Sequence, residues 1–175
     1  MKPEEIHRLA AYETFYWWFR ARRELVVRWL RWFVPDRSGP LLDAGCGTGE
    51  LLAQLTRAGY SCVGVDRSAT AVAYAARRLP GRVAVGDVQR LGIGAATMAG
   101  VVGLDLLEHL PDDAVALREF HRVLQPGGWL LLTVPAYPFL WSEHDEALDH
   151  QRRYMMHAAR RLVTEAGFRL EKYSY

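Results

Sequence analysis

Gly45, Gly47 and Gly49 stand two residues apart in the segment LLDAGCGTGELL, between an apolar run and an amphipathic one. Glycines so placed let the backbone turn tightly and approach a ligand closely. A loop that then opens a helix presents its first amides to a negative group. Asp43 leads into this loop. Asp66 closes the next apolar run, 23 positions after Asp43. A carboxylate there can accept from both hydroxyls of a ribose, or cap the helix that follows. Asp87, in VGDVQ, closes a third run. It can accept from an exocyclic amine such as that of adenine, beside the amide of Val88, or form a turn. A loop for a compact anion, a ribose acid and an adenine acid describe a nucleoside with a short charged tail. The pattern is G-x-G-x-G, with Glu50 where a dinucleotide fingerprint has its last glycine. That counts against a nicotinamide-binding oxidoreductase, which stays open as the alternative enzyme class.

The elements that must hold these groups alternate along the chain. PLLDAG, SCVGVD, RVAVGD, AGVVGLD and WLLLTVP read as short, nearly continuous apolar strands. ELLAQLTRAG, SATAVAYAARRL and DDAVALREFHRVL read as helices, the first stopped by Gly59 and the second capped by Ser68. Residues 155 to 166 form a further predicted helix ended by Gly167, and FRLEKYSY a predicted sixth strand. The alternation predicts an α/β domain: a mostly parallel sheet with helices on both faces. Ligands of such sheets bind beyond the carboxyl ends of the strands, where the strand order reverses. Asp43, Asp66, Asp87 and Asp105 fall at or near those ends. Ahead of the first strand, Pro3, Glu4 and Glu5 open a helical region reaching about Phe33, with a break near an aromatic block. Leu25, Val26, Trp29, Leu30 and Phe33 are predicted to share its core face. Pro35 and the DRSG after it close the helix.

Half of the residues are apolar and 24% are charged, which suits one globular domain. The formal net charge of +2 is too small to argue for nucleic acid. Arginine is nevertheless uneven: Arg20, Arg22, Arg23, Arg28, Arg31 and Arg37 cluster ahead of the first strand. The two cysteines, Cys46 and Cys62, show neither zinc spacing nor a disulfide framework. Cys46 reads as a small loop residue and not a nucleophile, Cys62 as a buried strand residue. No leader pattern and no run of membrane-spanning length is present, so a cytoplasmic protein without a membrane span is expected.

LLDAGCGTGELL, VGVDRS, VGDVQRL, VVGLDLLEHLPDD and HRVLQPGGWLLLTVP together resemble a class I S-adenosylmethionine-dependent methyltransferase, over residues 40 to 135. The resemblance implies a Rossmann-like doubly wound sheet, S-adenosyl-L-methionine as cofactor and S-adenosyl-L-homocysteine as product. It implies one domain over residues 1–175: an N-terminal helical lid (1–38), a cofactor-binding core (39–135) and an acceptor-side segment (136–175). Asp43, Ala44, Gly45, Cys46 and Gly47 would serve the methionine end, and Asp66 the ribose, with Arg67 beside it. Asp87 and Val88 would meet the adenine, and the backbone of Gly103 and Leu104 the methionyl amine. The family sheet has seven strands, so a chain reaching the sixth implies an incomplete C-terminal hairpin. Its open edge invites association, as in a homodimer.

The block FYWWFRARRE resembles a segment of bacterial methyltransferases without an assigned substrate, which carry WWF and paired arginines, here Trp17, Trp18, Phe19, Arg22 and Arg23. Folded over the strand ends, such a block is a lid. Its rings suit a sulfonium, and an arginine suits the cofactor carboxylate. Tyr16, Trp17 and Arg22 are the expected pocket-facing residues. The alternatives are a helix that packs its rings on the sheet, and an RNA-stacking surface. Methyl transfer needs an aligned acceptor and, for a hydroxyl or amine, a base. His109 and His150 are the candidate bases, with Glu108 orienting or capping His109. His144 and His150, six positions apart, point to different faces of a regular helix, so no metal is expected unless the segment is a loop. His150, Arg153 and Tyr154 either line the acceptor pocket or belong to a solvated connection. The expectation is methyl transfer to an O, N or C atom of a small-molecule acceptor. An RNA-directed methyltransferase and a non-catalytic cofactor-binding module are kept as alternatives, nucleic acid being the less favoured partner.

Overall fold

In the computed structural model of this chain the described residues are 3–34 and 39–175. Pro35, the DRSG turn up to Ser38, and Arg37 of the basic cluster lie outside them. Five strands, β1 (Pro40–Ala44), β2 (Ser61–Asp66), β3 (Val83–Val85), β4 (Met98–Leu104) and β5 (Leu124–Thr133), form one sheet in the order β3-β2-β1-β4-β5. Every neighbouring pair is parallel. Successive strand residues point to opposite faces, and both faces are apolar here. Leu42, Ala44 and Val101 join one core; Leu41, Cys62 and Val102 join the other.

The helices close both faces. Helix α1 spans Pro3–Tyr12, α2 Trp17–Phe33, α3 Glu50–Arg57, α4 Ala69–Arg78, α5 Asp113–Val123, α6 Glu143–Ala147 and α7 Met156–Glu165. Ser68 caps α4, its hydroxyl accepting from Ala71 N at 3.2 Å, and the Asp112 carboxylate caps α5 from Val115 N at 3.0 Å. Ala116, Leu117, Phe120 and Val123 of α5 are buried against the sheet at helical spacing. Gly59 and Gly167 follow α3 and α7 with φ of 92° and 95°, the left-handed conformation that ends a helix.

Two expectations need correction. The core face of α2 is Arg23, Val26, Val27 and Leu30, whereas Leu25 and Phe33 are exposed. Both sets have helical spacing, and α2 is apolar over most of its circumference, so periodicity cannot choose between adjoining stripes. Contact with α3 and the sheet chooses. Residues 168–175 form no strand. A strand needs a hydrogen-bonding neighbour, and this segment finds side-chain partners instead: Arg169 pairs with Glu171, Tyr175 stacks on Tyr137, and Lys172 lies over the Phe33 ring. No helix among the described residues is long and apolar enough to cross a membrane.

Gly49 illustrates how tightly the loop after β1 is built. Its φ is 83°, and a Cβ there would stand 2.8 Å from the Ala75 Cβ and 3.0 Å from the Ala75 Cα on α4. Gly49→Ala is therefore expected to cost about 1–3 kcal/mol through overpacking and backbone strain. Urea unfolding followed by circular dichroism measures it, and an unchanged midpoint would contradict this packing.

Candidate functional site

The strand order reverses between β1 and β4, and the loops after β1, β2 and β4 meet at that point. The glycine loop is anchored by main-chain bonds: Gly45 N and Cys46 N donate to Val65 O at 2.8 and 3.1 Å, and Gly49 N donates to Cys46 O at 2.9 Å. Gly45 and Gly47 both have positive φ, for different reasons of space. A Cβ on Gly45 would strike Leu106 at 2.8 Å, whereas a Cβ on Gly47 would meet nothing within 4 Å. Gly47 thus faces an open cradle. Asp66 borders it: Oδ2 accepts from Gly47 N at 2.9 Å and Oδ1 from Ser68 N at 2.8 Å. One carboxylate joins the loops after β1 and β2.

Behind the loop, Asp43 is 3% exposed, and its Oδ2 has no hydrogen-bond partner among the described residues. Burial first, and then nearby Asp66, push its carboxyl up to about 7, against the pull of Arg22. Arg22 reaches down from α2 to an ion pair with Asp105 at the end of β4, and its Nε has no hydrogen-bond partner among the described residues. Asp105, at φ 46°, is itself held by Thr133, whose hydroxyl donates to Oδ1 at 2.6 Å. The α1–α2 turn is fastened too. The buried Glu13 accepts from the Thr48 hydroxyl and forms an ion pair with Arg78 Nη1 at 3.2 Å, and its carbonyl accepts from Arg23 Nη2 at 2.8 Å. Arg78 also meets Glu50 at 2.9 Å and Thr48 O at 2.5 Å.

Opposite the glycine loop stands a second cluster. Glu108 is fully buried, with neither carboxylate oxygen hydrogen bonded among the described residues, so it does not cap His109. Burial pushes it up to about 7. The His109 and His150 rings meet edge to face with centroids 4.7 Å apart. Burial, then His150, pushes His109 down to about 4. His150 Nδ1 lies 2.9 Å from Asp145 Oδ1. Asp145, wholly buried in α6, also accepts from Arg153 Nε and Nη2 at 2.7 and 2.9 Å and from Ser142 N at 2.9 Å. These bonds hold its carboxyl well below the usual range, the Arg153 pair contributing most. Arg153 is spent on Asp145, and the Tyr154 hydroxyl donates to Asp113 at 2.8 Å. The segment is a short helix and a braced turn, and it pairs His150 with His109, not with His144.

Tyr16, Trp17, Arg22, Asp43, Gly45, Cys46, Gly47, Asp66, Arg67, Leu104, His109 and His150 all border one broad open depression, which also runs along β5 to Pro126 and over the C-terminal segment. Tyr16 and Trp17 remain largely exposed there. Ala44 and Val88 are buried in the core under the cleft floor, and Gly103 packs beside Leu132 of β5. Asp87 lies on an exposed turn, its Oδ1 accepting from Gln89 N at 2.9 Å. Burial raises the Cys46 thiol far above its ordinary value, which removes it as a nucleophile. Glu13 escaped the sequence, and so did the partners taken by Asp105, one of the strand-end acids, and by Asp145, a candidate beside His144 and His150. Only Asp145 carries a local signal, since Ser142 three positions before it makes a helix-capping pair.

The donors suit a nucleoside with a zwitterionic tail. The open space at Gly47, the orphaned Asp43 oxygen and the Asp66 carboxylate lie together, under an arginine. Comparison with known proteins agrees. Residues 42–132 match the family described as "Methyltransferase domain". A probable S-adenosylmethionine-dependent methyltransferase of Mycolicibacterium smegmatis is 33% identical over 162 residues, 89% of this chain and 60% of that protein. The chain thus spans about 60% of the length of this curated relative. The [4+2]-cyclase SpnF superposes with a TM-score of 0.71 at 27% identity, covering 86% of this chain and 59% of that one. Phosphoethanolamine N-methyltransferase 2 of Haemonchus contortus, solved with S-adenosyl-L-methionine, shares the fold at a TM-score of 0.69 and 24% identity, over 79% of this chain and 35% of its own.

Asp43 makes stability depend on pH. Its folded value near 7 lies above the ordinary 3.8, so the native state keeps a proton that the unfolded chain releases. That stabilisation is complete below the unfolded value and is lost as pH rises through the folded one. Unfolding free energy of the ligand-free protein is expected to fall between about pH 4 and pH 7, by up to about 1.4 kcal/mol per pH unit for this group. Glu108 adds a slope of the same sign. Denaturant titrations should find the fall reduced in Asp43→Asn; an identical slope would show that Asp43 is ionised throughout.

Proposed function

The chain belongs to the methyltransferase-domain family, the class I S-adenosylmethionine-dependent methyltransferases, and from that premise we propose that it methylates an O, N or C atom of a small-molecule acceptor. When bound, S-adenosylmethionine supplies a methyl group on a sulfonium, a leaving group that needs no protein nucleophile. The chain's own residues position and enclose. In this proposal Gly45, Cys46 and Gly47 present backbone to the methionine end, with Asp43 behind them. Asp66 takes the ribose, with Arg67 at its edge. Asp87 and Val88 serve the adenine, and Ala44, Gly103 and Leu104 complete the floor.

Residues 1–38 are the lid in this proposal, with Tyr16 and Trp17 over the cofactor. The Arg22–Asp105 and Glu13–Thr48 contacts support it, because both tie the front helices to strand ends at the cleft. Residues 136–175 supply the acceptor side. There His109 and His150 offer the lone pairs that an acceptor proton would meet, and the braced Asp145 fixes the His150 ring. The observation that carries the proposal is the position of Asp66, bonded to the Gly47 amide beside an open cradle.

Isothermal calorimetry with S-adenosylmethionine tests the binding half. The wild type is expected to bind, and Gly47→Ala, whose Cβ enters open space, to bind about tenfold more weakly, about 1.4 kcal/mol, while staying folded by circular dichroism. Absence of heat with folded wild-type protein overturns the proposal. A second reading, cofactor binding in the service of a different reaction, is favoured by the likeness to the [4+2]-cyclase. Incubation with methyl-labelled cofactor and a metabolite extract separates the two. Label in a small molecule supports methyl transfer, and binding without transfer supports the second reading.

A further inference from the structure

We propose that Glu108, His109 and His150 form a binding site for one divalent transition-metal cation of the zinc type, at the acceptor end of the cleft. One ligand atom from each of these side chains lies within 4.8 Å of the others. Atoms that each stand about 2 Å from a zinc ion are a little over 3 Å apart, so small side-chain rotations close the site. A carboxylate with two imidazoles suits zinc and its divalent neighbours, and three protein ligands leave positions open for another donor.

Two observations make this more than a coincidence of residue types. First, Glu108 is wholly buried while both its oxygens lack partners among the described residues. A buried carboxylate without partners is costly, and a cation is the partner that two unengaged oxygens and two imidazoles can share. Second, each imidazole already has a hydrogen-bond partner on one side. His150 Nδ1 faces the Asp145 carboxylate at 2.9 Å, which Arg153 already grips with two nitrogens, so Nδ1 carries the hydrogen and Nε2 the free lone pair. His109 is hydrogen bonded to the backbone of Asp149. Metal-binding histidines are oriented this way, by a carboxylate or carbonyl on the far nitrogen. The backbone reinforces the approach, Gln151 N donating to Glu108 O at 2.7 Å. Of the positive groups near the cluster, Arg22 is matched by Asp105, while Arg67 is exposed.

The consequence for the acceptor rests on the methyl-transfer proposal; the cation site does not. With the cation bound, the lone pairs of His109 and His150 hold it and are no longer open to an acceptor proton, and its open positions point to an acceptor that brings oxygen to the cation, a hydroxyl compound before a simple amine or carbon acceptor.

The test uses the full chain, freed of metal with a chelator and titrated with zinc alone by calorimetry, then with cobalt alone in the visible spectrum. One equivalent is expected to bind, with cobalt bands typical of low coordination number. His109→Ala and His150→Ala should each weaken zinc by about tenfold or more, and His157→Ala, on the exposed side of α7, should leave it unchanged. Circular dichroism confirms that each variant is folded; if an alanine variant is not, His150→Gln and Glu108→Gln take its place. Zinc that binds the histidine variants as well as the wild type, or no stoichiometric binding to folded protein, overturns the proposal. S-adenosylmethionine binding is measured alongside. Cofactor heat without a cation site rejects only the metal, and a cation site without cofactor heat supports the metal while rejecting the methyl-transfer proposal.

Discussion

Asp66 accepts main-chain amides from two loops at once, Gly47 from the loop after β1 and Ser68 from the turn before α4. That junction fixes where the adjacent strands β1 and β2 end relative to each other. It also leaves the glycine backbone facing open space, since the loop is pulled toward Asp66 and not over the cleft. A parallel sheet makes the arrangement possible, because all its strands deliver their last residues to one edge. The point of reversal between β1 and β4 then separates the loops enough for a ligand to enter.

The front helices are fastened to this edge by charge. Glu13 joins Thr48 in the glycine loop and Arg78 at the end of α4, while Arg22 meets Asp105 at the end of β4. The aromatic block is consequently held near the cleft although its rings pack little, Trp17 being 66% exposed. Polar contacts that are buried, as at Glu13, or half-buried, as at Arg22, cost desolvation and give geometry in return. They explain why a helix so rich in arginine and tryptophan keeps one orientation on the sheet.

Much of this was legible in the sequence, for a physical reason. Buried parallel strands must be apolar on both faces, so their runs stand out, and glycine or aspartate marks where each run stops. The glycine loop, the Ser68 cap and the α5 helix all follow from such local rules. What was not legible depends on contacts between distant residues. Glu13 and Thr48 are 35 positions apart, and His109 meets His150 only because α6 and its braced turn bring the chain back. The buried stripe of α2 was misplaced because two adjoining stripes are apolar, and the sheet chose. FRLEKYSY has strand-like alternation, but alternation without a neighbouring strand makes no ladder.

A crystal structure with S-adenosylhomocysteine tests the central claim most directly, because it locates the ligand against Asp66. The account predicts both ribose hydroxyls on the Asp66 carboxylate and the amino-acid tail over Gly47, with the glycine loop unmoved. A ligand bound elsewhere, or one seated in the cleft without touching Asp66, would contradict it.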